Sequence, residues 1–144
     1  MRVKLVVDTG VLLSGALWTG NPSRLVDALL DGRAALCISA TLLAEFEEVV
    51  RREKFRARLE QSGRSADEII SLLRSAAIMV EPARIRIPAE LRDPDDVHVL
   101  GCAATSAADA IVTGDKDLLA LKSFAGISIL TVTQAIEKLG IAAA

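Results

Sequence analysis

Apolar residues fall along the chain in two rhythms. Short unbroken runs rich in β-branched residues recur at "VKLVV" (Val3–Val7), "AALCIS" (Ala34–Ser39), "IMVEP" (from Ile78), "DAIVTGD" (from Asp109) and "ISIL" (Ile127–Leu130). Each predicts a strand, and Val3–Val7 has the pattern of one buried on both faces of a sheet. Between them the spacing switches to 3.6. "NPSRLVDALLDG" puts Leu25, Val26, Leu29 and Leu30 on one helical face, with Asn21 as the expected N-cap, Pro22 at the first helical position and Gly32 as the stop. "ATLLAEFEEVVRREKFRARL" predicts one long helix with Leu42, Leu43, Phe46, Val49 and Val50 inward. "SADEIISLLRSA" opens on a capping-box pattern, Ser65 to Glu68. After a connection punctuated by Pro82, Pro88 and Pro94, a further helix is expected from about Asp95 or Asp96, with Val99, Leu100 and Ala103 on one side. "DLLAL" reads as a short helix and "VTQAIEKLG" as a last one, stopped at Gly140.

Strands alternating with helices at this spacing predict an α/β fold: a parallel sheet covered on both faces, three layers in the order α/β/α. The 144 residues suit one domain over 1–144, with 139–144 as a frayed tail, large enough to bury roughly two thirds of the unfolded surface without disulfides. Cys37 and Cys102 lack metal-ligand spacing and sit in apolar runs, so both read as buried thiols in a reducing compartment. No apolar stretch approaches the ~18 residues of a membrane span, and Asp8 interrupts the only candidate signal segment. A cytoplasmic protein without membrane contact is the expectation.

The charge balance narrows the partners. Seventeen basic against nineteen acidic residues exclude a strongly cationic coat, and the absence of Tyr, with one Trp and three Phe, argues against a base-stacking platform. Nucleic acid would be held by its backbone. Arg51, Arg52, Lys54, Arg56 and Arg58 form a basic run suited either to a solvated face paired with Glu47, Glu48 and Glu53 or to an RNA-contacting rim, with Arg52, Lys54 and Arg56 the candidate contacts.

Ligands of open parallel sheets bind beyond the carboxyl ends of the strands. Those positions are acidic here. Asp8 closes the first strand, Glu45 lies about one and a half turns into the helix after the second, Asp96 opens the helix before the fourth, and Asp115 and Asp117 follow the fourth, with Thr9 and Thr113 adding hydroxyls. Carboxylates converging on one point repel unless a hard cation sits among them, and Mg²⁺ or Mn²⁺ suits an all-oxygen set. Removing four such carboxylates from the formal charge of −2 leaves +2 on the rest of the chain (−2 + 4). Each acid also has a plain reading: Asp8 as a helix cap, Glu45 as a solvated helix residue, "RDPDD" as a turn with an N-cap. "VVDTG" resembles the strand-loop of an aspartic protease, but that fold is built of β-hairpins and the helical periodicity disfavours it. His98 is the only histidine and no G-x-S-x-G elbow is present, which removes most Ser-His-Asp chemistry. "GDKDLL" lacks the glycines and Lys-Ser/Thr of a phosphate loop.

Taken in order, "VVDTGVLLSGAL", "NPSRLVDALLDG", "ISATLLAEFEEVVRREKF", "RDPDDVHVLGCA" and "DAIVTGDKDLL" resemble the PIN-domain proteins of toxin–antitoxin pairs. The resemblance implies the 5′-nuclease-like fold, endoribonuclease activity with Mg²⁺ or Mn²⁺, products with 5′-phosphate and 3′-hydroxyl ends, an antitoxin partner and a homodimer. It assigns the metal and catalytic acids to Asp8, Glu45, Asp96 and Asp115, with Asp117 in support. Asp96 is chosen within "RDPDD" because the family acid precedes an apolar helix position by three residues and a small one by seven, here Val99 and Ala103; Asp93 and Asp95 are left as cap and turn residues. Gly10 departs from the family, which usually carries Asn there, and keeps a non-catalytic PIN-like binding module open as an alternative.

Overall fold

The structure is a computed structural model that describes residues 2–84, 86, 88–89, 91 and 93–144; part of the Pro-punctuated connection and Arg92 of "RDPDD" lie outside the described residues. In chain order the elements are β1 (Lys4–Val7), α1 (Thr9–Leu17), α2 (Asn21–Leu30), β2 (Ala35–Ser39), α3 (Ala40–Val50), α4 (Arg56–Ser62), α5 (Ala66–Ala76), β3 (Ala77–Val80), α6 (Pro94–Ser106), β4 (Ala110–Val112), α7 (Lys116–Leu121), β5 (Ser123–Phe124), β6 (Ile127–Leu130) and α8 (Val132–Leu139). Six strands form one sheet in the order β3-β2-β1-β4-β6-β5. The first five of these run parallel, with Leu5 opposite both Leu36 and Ala110. Helices cover both faces, as expected of a parallel sheet.

The core follows the β-branched runs. All five residues of β2 are buried, as are Leu5, Val6 and Val7 of β1 and the whole of β4. Helix α6 crosses β1, β2 and β4, and brings Val99, Leu100, Cys102 and Ala103 onto them. Cys37 and Cys102 are buried free thiols, as expected. Among the described residues no helix is long and apolar enough to cross a membrane.

Four local features differ from the sequence reading. The long helix over 40–59 stops at Val50: Arg52 is extended (φ −63°, ψ 141°), a 3₁₀ turn spans Glu53–Phe55, and α4 then follows. In a continuous helix Phe55 would point about 180° away from Phe46, nine residues earlier. The break instead sets Phe55 edge-on against Trp18, ring centroids 6.0 Å apart, and lets the Arg58 Nε–H donate to Leu17 O at 2.6 Å, which caps α1. Second, Thr9–Leu17 is a helix that periodicity does not reveal, because "TGVLLSGAL" has almost no polar face. Gly15 lets it lie against α2: a Cβ there would sit 2.3 Å from Val26 Cγ2 and 2.4 Å from Pro22 O. Third, the N-cap of α2 is Gly20, and Asn21 is already helical; its Oδ1 accepts the Ala144 N–H at 2.8 Å. Fourth, an antiparallel edge strand, β5, joins the parallel sheet through a turn at Ala125 (φ 52°) and Gly126 (φ 79°). Its two residues are too short to register as a pattern.

Candidate metal centre

Helix N-termini bring the acids together. Asp8 ends β1 and caps α1, its Oδ1 accepting the Val11 N–H at 3.0 Å. Asp93 caps α6, with its Oδ1 accepting the Asp95 N–H at 2.9 Å. Asp115 caps α7, its Oδ1 accepting the N–H groups of Asp117 at 2.7 Å and Leu118 at 3.2 Å. Free N–H groups and the positive end of the helix dipole favour a carboxylate at each such position. Parallel strands β1 and β4 lie side by side, so Asp8 and Asp115, following them, arrive at one end of the sheet.

Two threonines tie the carboxylates down. Thr113, fully buried, donates its hydroxyl to Asp8 Oδ2 and accepts the Asp115 N–H at 3.0 Å, linking the two acids through one side chain. Thr9 Oγ1 donates to Glu45 Oε1 at 3.1 Å, which holds the α3 carboxylate over the end of β1. Ser39 caps α3 through the Leu42 N–H at 3.1 Å and sets the start of that helix.

Asp8, Glu45, Asp93, Asp95, Asp96 and Asp115 line one cleft of about 190 Å³, together with Thr9 and Gly10. Asp96 is the buried member, 5% exposed, and its Oδ2 has no hydrogen-bond partner. One oxygen each from Asp93, Asp96 and Asp115 lies within 4.8 Å of the others. Burial first, then the charges of Asp115, Asp93, Asp117 and Asp8, push the Asp96 carboxyl up to about 7. Burial also raises Glu45; the Thr9 hydroxyl opposes this, and Asp95 and Asp93 add to it. A buried carboxylate without a partner, faced by further carboxylates, fits a hard divalent cation with oxygen ligands.

Of the acids expected from sequence, Asp8, Glu45, Asp96 and Asp115 share this cleft, whereas Asp117 is not among its lining residues and Thr113 stands behind it. Asp93 and Asp95 shape the helix start as expected and also line the cleft. Gly10 lies beside Asp8, and a Cβ there would come 3.3 Å from Asp8 Oδ1. His98 is not a lining residue. In the basic run Arg52 meets Glu48 at 3.4 Å, Arg56 meets Glu53 at 3.5 Å and Glu60 at 3.9 Å, and Lys54 Nζ lies 5.1 Å from the Phe55 ring centroid. The ion pairs among these are all exposed. Glu47 pairs with Arg74 on α5 at 2.8 Å.

The family model described as the PIN domain matches residues 4–117, a span that holds every acid of the cleft. The chain belongs to the PIN-domain family. Among solved structures, this PIN domain is similar to the crystal structure of VapBC2 from Rickettsia felis bound to a DNA fragment from their promoter, with a TM-score of 0.55 and 14% identity over 90% of this chain and 98% of that one. It also matches the T. brucei RRP44 PIN domain, with a TM-score of 0.46 and 16% identity over 96% of this chain and 81% of that one. No curated protein matches it by sequence. Nuclease activity is the general property of the family.

Proposed function

We propose that this PIN domain is a Mg²⁺- or Mn²⁺-dependent endoribonuclease and the toxin component of a toxin–antitoxin pair. The observation that carries the metal dependence is the buried, unpartnered Asp96 Oδ2 facing other carboxylates. Asp8, Asp96 and Asp115 would hold the cation, with Glu45 as a further ligand or the group that orients the attacking water. A bound Mg²⁺ or Mn²⁺ supplies Lewis-acid stabilisation of charge on the phosphoryl oxygens and lowers the pKa of a coordinated water. Thr113 fixes the separation of Asp8 and Asp115 by bonding to both. Thr9 holds Glu45 Oε1, which leaves Oε2 to accept the proton of the attacking water, and the raised Glu45 carboxyl suits it to that task. Asp117 contributes charge from outside the cleft. Arg52, Lys54 and Arg56, following α3, would meet the RNA backbone at the rim, the two arginines exchanging their exposed acidic partners for phosphates.

The likeness to the VapBC2 structure supports an antitoxin partner for the same chain, and the family resemblance supports a homodimer, which sedimentation at tens of micromolar tests. Gly10 favours a second reading, a PIN-like module that binds without cutting. Single-stranded RNA incubated with Mn²⁺ separates the two: cleavage abolished by EDTA supports the nuclease, and metal binding without cleavage supports the module.

A further inference from the structure

Asp93 is a helix cap, and its place beside Asp96 gives it a second role. It occupies the N-cap of α6 and Asp96 the third helical position, two sites whose side chains face each other across the first turn. In a capping box that pairing is reciprocal and favourable. Here both are carboxylates, and their oxygens meet one from Asp115 within 4.8 Å. Asp8 is not part of that cluster among the described residues. Independently of the clustering, Asp96 is 5% exposed and its Oδ2 has no hydrogen-bond partner, so a buried acceptor points into the same space.

We infer that Asp93 is a direct ligand of the cation beside Asp96 and Asp115, so that the first turn of α6 supplies two carboxylates to the metal. This rests on the metal-dependent reading above. Asp93 Oδ1 is engaged by the Asp95 N–H, and a carboxylate has lone pairs enough to cap the helix and ligate together.

The capping role makes the test clean, since Asn and Ser cap helices about as well as Asp. Isothermal titration of the full chain with MnCl₂ compares wild type, Asp93→Asn, Asp93→Ser and Asp95→Asn, with urea midpoints in EDTA confirming that each is folded. Both Asp93 variants should weaken Mn²⁺ binding at least about tenfold, while Asp95→Asn, which removes the same charge from the same turn, should weaken it by no more than about threefold. Asp93 variants that bind Mn²⁺ as Asp95→Asn does would overturn the ligand role and leave the metal site standing. A wild type that takes up no Mn²⁺ would overturn the metal-dependent reading itself, and the ligand role with it.

Discussion

Neutralising Asp96 should stabilise this protein when metal is absent. The carboxyl titrates at about 7 in the folded chain against 3.8 as an unperturbed group, with burial as the first cause and the neighbouring acids as the second. A raised acid pKa means that the native state binds its proton more tightly than the unfolded chain. The associated stability is fully present below pH 3.8 and is lost as pH rises through about 7. At 1.36 kcal/mol per unit the whole loss is about 4 kcal/mol, and about 3 kcal/mol of it falls between pH 5 and pH 8.5. Asp96→Asn keeps the side chain's volume and cannot ionise. Urea denaturation in EDTA should therefore show the variant gaining on wild type by about 3 kcal/mol between those two pH values, because most other titrations cancel in the difference. Mn²⁺ should close most of that gap at pH 8.5, since a ligand at one hundred times its Kd adds about 2.7 kcal/mol to wild type and little to the variant. An Asp96→Asn effect that is the same at both pH values would refute the claim that a charge is buried there without compensation.

Three further outcomes follow from the same geometry. Thr113→Val removes the hydroxyl that Asp8 accepts and leaves the Asp115 N–H without its partner, so it should cost about 1–3 kcal/mol in urea denaturation and lower the cleavage rate. Replacing Arg52, Lys54 and Arg56 together with Gln should change stability by less than about 1 kcal/mol, because the pairs are exposed, while weakening RNA affinity and flattening its dependence on salt; unchanged affinity at low salt returns the run to a solvated face. The melting temperature should rise with millimolar Mg²⁺ or Mn²⁺ in wild type and stay level in Asp8→Asn combined with Asp96→Asn.

Sequence periodicity revealed the parts of the fold where burial differs between neighbours. The parallel strands were legible because β-branched runs such as Leu5–Val7 and Ile111–Val112 are enclosed on both sides. Helix α1 was not, since a segment that packs around most of its circumference has no polar stripe to set its period. The break after Val50 was hidden for the opposite reason: its residues are good helix formers, and the contacts that bend the chain, Phe55 on Trp18 and Arg58 on Leu17 O, are tertiary. Register within "RDPDD" singled out Asp96, and the structure finds that residue the most buried of the cleft acids. The same register set Asp93 aside, because a cap and a ligand are one residue type and only the 4.8 Å cluster separates them.

The central claim is metal-dependent cleavage of RNA, and the most direct measurement is the turnover of single-stranded RNA by purified wild type and Asp8→Asn. Asp8→Asn retains the side-chain volume and the α1 cap while removing one negative charge, so folding should survive. Wild type should cut the RNA with Mn²⁺ or Mg²⁺ and stop in EDTA, and Asp8→Asn, Glu45→Gln, Asp96→Asn and Asp115→Asn should each lose at least about a hundredfold in rate. Equal cleavage by wild type and Asp8→Asn, or cleavage that persists in EDTA, would contradict the account.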